Sequence, residues 1–185
     1  MIKKQKISKY LKDLSSSKPT PGGGSAAALV GAIGASLVEM VANLTLDKKG
    51  YEKSAKDIKK IKKIATESKN KLISLADKDA KAFEDVIKVF RLPKGNKRDI
   101  AIQQALKKAT RIPLETALSS YEVLRLAREI THIGNKNAKS DAKSALHFAK
   151  ASISSALENV EINLNLIKDN NWKTKIKKEV DKINL

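Results

Sequence analysis

A run of 21 residues, AAALVGAIGASLVEMVANLTL at positions 26–46, contains a single charged side chain, Glu39. As a helix such a segment has no polar face to offer water, so it must be enclosed by other elements or by lipid. Its length would suffice to cross a bilayer. Much of its apolarity is alanine and glycine, however, and Glu39 and Asn43 lie inside it, which argues for the centre of a helical bundle instead. Ala27, Gly31 and Ala35, with Gly34 beside them, place small residues one turn apart and let neighbouring helix backbones approach closely. The segment is fed by a glycine-rich loop, Ser15-Ser-Ser-Lys-Pro-Thr-Pro-Gly-Gly-Gly, and Ser25 stands where a helix N-cap would.

Helical periodicity runs through the rest of the chain. Ile7, Tyr10, Leu11 and Leu14 predict a short first helix. From about Glu52 to Phe90 a stripe reads Ile58, Ile61, Ala65, Ser68, Leu72, Leu75, Asp79, Phe83, Val86, Phe90. Leu92-Pro-Lys-Gly-Asn breaks it. A further helical pattern from Ile102 to Leu124, with Pro113 inside it, is closed by Gly134, and Ala142 to Ile167 carry an uninterrupted stripe. A last helix after Asp169-Asn-Asn would set Trp172, Ile176 and Val180 against the others. No strand pattern and no internal repeat is visible. The prediction is one all-α domain over residues 1–185, an antiparallel bundle of five or six helices around the Ala/Gly-rich segment.

The formal net charge of +18 raises nucleic acid as a partner. The lysines concentrate in residues 1–18, 53–71 and 168–185, mostly between the apolar positions of helical repeats, as on a solvated outer face. Those stretches hold only two aromatic residues, Tyr10 and Trp172, and no interleaved series for base stacking, so nucleic acid is an unlikely partner, whereas the same field would attract a polyanionic small molecule. The absence of cysteine excludes disulfides, thiol nucleophiles and Cys-ligated zinc. His132 and His147 are fifteen residues apart with no carboxylate spacing to match, so no metal site is predicted. The basic start lacks an apolar run before Pro19, unlike a secretory signal, and a cytoplasmic protein is expected.

Asp79 occupies a stripe position between Leu75 and Phe83 where the pattern asks for an apolar side chain. At about 100° per residue, Asp77 points about 160° away from it, which leaves Asp77 to solvent. A carboxyl desolvated in a core titrates nearer neutrality, as a general acid or base requires; a buried aspartate that caps a helix or pairs with a lysine fits the pattern equally. Pro21, Gly22, Gly23, Gly24 and Ser25 would offer unhindered backbone N–H groups at a positive helix end, a cradle for an anion or a polar ring. The loop lacks the Lys-Ser/Thr ending of a nucleotide phosphate loop, and no strand precedes it. In GNKNAKSDA, Asn135, Asn137, Ser140 and Asp141 gather donors and acceptors near a helix start. Glu39 fits either a buried catalytic acid or an ion pair at a dimer interface.

Taken together, PTPGGGSAAALVGAIGASLVEMVANLT, KKGYE, LADKDAKAF, LPKG, RIPLETA, GNKNAKSDA and NVEINL, in this order from about Ser8 to Ile167, resemble the formiminotetrahydrofolate cyclodeaminase family. That family includes the cyclodeaminase half of bifunctional formiminotransferase enzymes and stand-alone methenyltetrahydrofolate cyclohydrolases. The resemblance implies an all-helical homodimer with folate sites near subunit contacts, an essential acid within LADKDAKAF, and no cofactor beyond the tetrahydrofolate substrate. Within that segment the periodicity favours Asp79.

On this resemblance the glycine loop would hold the pterin or its one-carbon bridge, Asn135, Asn137 and Ser140 would orient the substrate, and Asp141 would join Asp79 as a second acid at the pterin nitrogens. Lys48 would meet the glutamate tail, including a polyglutamate tail where the substrate carries one. Asp47, just before Lys48, stands where many relatives have glycine. The implied reaction is either cyclodeamination of the formimino-folate to the methenyl-folate with loss of ammonia, or hydrolysis of the methenyl bridge to the formyl-folate. The rival classes are a basic nucleic-acid-binding bundle and a structural interaction protein without catalysis.

Overall fold

The computed structural model describes residues 1–46 and 48–183; Asp47 and its position relative to Lys48 lie outside the described residues. The described residues form six α-helices: α1 (Ile7–Leu14), α2 (Gly23–Leu46), α3 (Ala55–Phe90), α4 (Asn96–Ile133), α5 (Lys139–Leu166) and α6 (Asn170–Val180). There is no strand among the described residues, and the predicted all-α bundle is the fold observed. Short links force each of α2 to α5 to run antiparallel to the next, and α5 returns to pack on α2, closing a four-helix ring with α2 and α4 on its diagonal.

The Ala/Gly-rich helix is covered by the other three helices of the ring but not enclosed on every side. Ala28, Ala35, Val38, Val41 and Ala42 are fully buried against α3, α4 and α5. A Cβ added to Gly31 would lie 2.5 Å from Ser120 Oγ and 2.7 Å from Ser152 Oγ, so glycine is what allows α4 and α5 their approach there. Those two hydroxyls are themselves satisfied: Ser152 Oγ donates to the Ala27 carbonyl at 2.7 Å, and Ser120 and Ser152 lie 2.7 Å apart. One side of α2 remains open, with Ile33, Met40 and Leu44 exposed to solvent.

Four sequence expectations change in detail. Helix α2 begins at Gly23, two residues before the expected cap, and Ser25 Oγ donates back to the Gly22 carbonyl at 2.9 Å instead of accepting a helix N–H. The α3 stripe is buried through Ala76, whereas Phe83 and Phe90 reach the surface. Asp77 is not left to solvent, because its Oδ1 accepts the backbone N–H of Ile2 and fastens the N-terminal 3-10 turn, Ile2–Lys4, to α3. Glu39 pairs within the chain, at 2.6 Å from Lys69 Nζ, and that hydrogen bond holds its carboxyl below the usual range.

The last helix closes a second apolar cluster. Ile176 is fully buried near Leu106, Leu114, Leu164 and Ile167, and Trp172 lies under Lys107 and Arg111 at 5.7 and 5.8 Å from its ring centre. Asp169 caps this helix by accepting the Trp172 N–H at 3.0 Å. Both histidines are exposed.

Candidate active site

The first turn of α2 and the middle of α3 meet at Asp79. Its carboxyl lies so close to Gly24 that a Cβ there would stand 2.2 Å from Oδ1 and 2.6 Å from Cγ. The helical pattern around Asp79 is otherwise apolar, and burial pushes its pKa up from 3.8 to about 6; the Ser25 backbone amide acts in the opposite direction and only partly offsets this. The positive end of α2 is therefore outweighed by desolvation. Tyr10, buried on α1, places its hydroxyl 3.2 Å from Ser25 Oγ; burial raises the phenol's pKa, and the nearby Asp79 adds to that.

A cleft of about 350 Å³ opens beside this turn, within the range of small-ligand sites. Gly22, Gly23, Gly24 and Thr20 form one wall, Asp79, Phe83 and Val86 of α3 another, and Asn159, Ile162 and Asn163 of α5 a third. Asp79 is the one charged residue in the lining, and no lysine or arginine reaches it. A neutral or cationic group therefore suits the cleft better than a phosphate or carboxylate.

The remaining candidates assemble elsewhere. Asn135, buried after α4, accepts from Lys48 Nζ at 3.0 Å and from the Asn137 backbone N–H at 3.0 Å, while its Nδ2 donates to the Leu44 carbonyl at 3.0 Å. Its backbone N–H donates to Thr45 Oγ1 at 2.9 Å. The Lys136 N–H donates to the Tyr51 hydroxyl at 3.0 Å, so the KKGYE and GNKNAK segments meet. Asn137 and Ser140 are exposed, and Asp141 sits half-buried in the first turn of α5. This cluster closes the C-terminal end of α2. Twenty residues separate Gly24 from Leu44, so within one chain about 30 Å lies between the Asp79 cleft and Asn135.

Pro21, preceded by a cis peptide bond, leads into the glycine turn, and Gly22, Gly23 and Gly24 line the cleft. Tyr10, Asn159 and Asn163 had no assigned role in the sequence reading. Asn159 and Asn163 are four residues apart beside an apolar stripe, which places both on one face of α5 and was the available signal.

A half-buried acid packed against a glycine-rich helix start in an all-helical ring defines the class, and comparison with known proteins identifies the family. Residues 6–182 match the family model described as formiminotransferase-cyclodeaminase. A methenyltetrahydrofolate cyclohydrolase from Methylorubrum extorquens is 38% identical over 98% of this chain and 89% of its own length. Formimidoyltransferase-cyclodeaminases from Dictyostelium discoideum and Mus musculus are 35% and 29% identical, and the chain spans only 32% of the length of each. The crystal structure of a formiminotetrahydrofolate cyclodeaminase from Thermotoga maritima superimposes with a TM-score of 0.92 at 32% identity, covering 98% of this chain and 89% of that one. The chain belongs to the formiminotransferase-cyclodeaminase family.

Proposed function

We propose that this protein is a folate one-carbon enzyme that acts on the bridge between N5 and N10 of tetrahydrofolate, with Asp79 as its acid-base group. The observation that carries the reading is a lone carboxyl, shifted to about 6, facing a cleft with no other charged lining residue. Near pH 7 such a group is mostly ionised but readily reprotonated, so it can take a proton in one step and return it in the next. In hydrolysis, water adds to the cationic methenyl carbon and Asp79 accepts its proton. The bond from that carbon to N5 then breaks, Asp79 returns the proton to N5, and the remaining hydroxyl proton leaves as the formyl group forms. In cyclodeamination, N10 attacks the carbon of the protonated formimino group (–CH=NH2+), Asp79 takes the N10 proton and passes it to the amino nitrogen, and the bond from carbon to that nitrogen breaks to release ammonia and leave the methenyl cation. The carboxylate also stabilises the methenyl cation in either direction.

The cyclohydrolase reading is supported by the higher identity of the relative of that name, 38% against 32% for the cyclodeaminase matched over an equal share of its length. An absorbance assay with purified protein separates the two reactions. Accelerated loss of the methenyl chromophore from methenyl-folate is the expected result; growth of that chromophore from formimino-folate would assign cyclodeamination instead. Protein inert toward both would refute the enzyme reading.

The separation of the two clusters supports a homodimer. Ile33, Met40 and Leu44 on α2, with Phe148 of α5, leave an apolar strip open to solvent from the middle of α2 toward its C-terminal end. Two chains crossing antiparallel on this strip would bring the Asp79 cleft of one beside Asp141, Asn135, Ser140 and Lys48 of the other, with Lys48 near the glutamate tail. Mixing tests this. Asp79→Asn and Asp141→Asn chains, each inactive alone, should recover about a quarter of wild-type activity after exchange, because half the dimers would be mixed and each would hold one intact site. No recovery despite demonstrated exchange would refute a shared site.

A further inference from the structure

Residues 1–14 cross the end of α2 that bears the glycine turn and are fastened at two points, by the Ile2 N–H on Asp77 and by Tyr10 on Ser25. Tyr10 is 7% exposed and is the buried residue of α1. The direction of its hydrogen bond is fixed by counting hydrogens. Ser25 has one hydroxyl hydrogen, and the Gly22 carbonyl, 2.9 Å away, can only accept it; Tyr10 must therefore donate to Ser25. The resulting relay runs from the Tyr10 hydroxyl through Ser25 Oγ to the Gly22 carbonyl, which also receives the first helical bond of α2, from Ala26 N–H at 3.1 Å. Apart from the Asp79 carboxyl, which faces the Ser25 amide, no other side chain among the described residues from outside the turn hydrogen-bonds to residues 22–25. The same turn carries both Gly24, against which the Asp79 carboxyl is packed, and the Ser25 amide directed at it.

We propose that Tyr10 is a positioning residue of the active site, which by donating to Ser25 fixes the glycine turn against Asp79 and keeps water from the carboxyl. This rests on the reading of Asp79 as the acid-base group. Tyr10 itself is screened from the cleft and touches no reacting atom. It is also the one titratable side chain that couples to Asp79 across α1, and α4 and α5 present no ionisable group to the cleft.

Tyr10→Phe keeps the ring and removes only the donor. The expected result is a roughly tenfold lower kcat with KM changed less than about threefold, as for loss of one hydrogen bond that matters to geometry. The ascending limb of the pH–rate profile should move to lower pH as water reaches the carboxyl. A lower melting temperature with kcat and limb unchanged would mark a purely structural tyrosine and overturn the proposal. A readout free of turnover separates this from failure of the enzyme reading: the carboxyl ¹³C resonance of Asp79, followed from pH 4 to 8. Its midpoint, near 6 in the wild type, should fall in Tyr10→Phe and likewise in Ser25→Ala, which removes the acceptor. An unchanged midpoint in both variants would overturn the proposal whether or not the wild type turns over either folate.

Discussion

Asp79→Asn should lower kcat by about 10²–10⁴-fold, the usual contribution of a general acid-base group, while leaving the protein more stable near neutral pH. The two effects share one origin. A carboxyl whose folded pKa is raised from 3.8 to about 6 binds its proton more tightly in the folded state. Below pH 3.8 both states are protonated and the group imposes no penalty; between 3.8 and about 6 the unfolded chain ionises first, and stability falls as pH rises; above 6 the full penalty is present. Two pKa units set its ceiling at about 3 kcal/mol, and the partial solvent access of Asp79 brings it lower. Urea unfolding at pH 4 and pH 8 checks this: the stability difference between Asn variant and wild type should be larger at pH 8. A difference independent of pH would mean that the carboxyl is solvated and not the poised group described above. The wild-type rate should rise with pH through about 6 and then level, with that limb absent from the residual activity of the variant.

The sequence made Asp79 conspicuous because a helix stripe has few ways to accommodate a carboxylate, and the same arithmetic located α2 to α5. Periodicity is local, and so were its failures. The contact of Tyr10 with Ser25 spans a loop whose length does not say where it returns, so nothing in residues 15–22 could place a phenol on the glycine turn. Ser25 resembled a cap because serine before an apolar run usually is one; here the helix starts at Gly23, leaving the hydroxyl inside the first turn to bond backward. Asp77 pointed away from Asp79 as the helix angle required, but that direction held the N-terminal 3-10 turn and not water. The division of the candidate residues into two clusters, by contrast, was implicit in the length of α2, since twenty residues of helix between Gly24 and Leu44 hold its ends about 30 Å apart.

Gly24→Ala should abolish activity nearly as completely as loss of Asp79 while sparing the fold. At this position glycine is not needed for backbone freedom, because Gly24 lies inside the helix, where alanine is favoured by about 1 kcal/mol. What alanine cannot do is share space with the carboxyl: its Cβ would fall 2.2 Å from Oδ1, 2.6 Å from Cγ and 2.7 Å from Oδ2 of Asp79. An aspartate has only two side-chain torsions, so relief requires swinging the carboxyl out of its place or separating α2 from α3. Either outcome spoils the alignment of acid and bridge, and misplacement by about 1 Å can cost 10²-fold in rate. The neighbouring position supplies the control. A Cβ on Gly23 would meet only Asn159 Nδ2, at 3.7 Å, an ordinary contact. Gly23→Ala should therefore retain activity within a few-fold, while Gly24→Ala loses at least about 10²-fold with helical circular dichroism preserved. Equal activity in the two variants would show that the glycine turn does not press on Asp79, and would remove the steric reason for glycine at position 24.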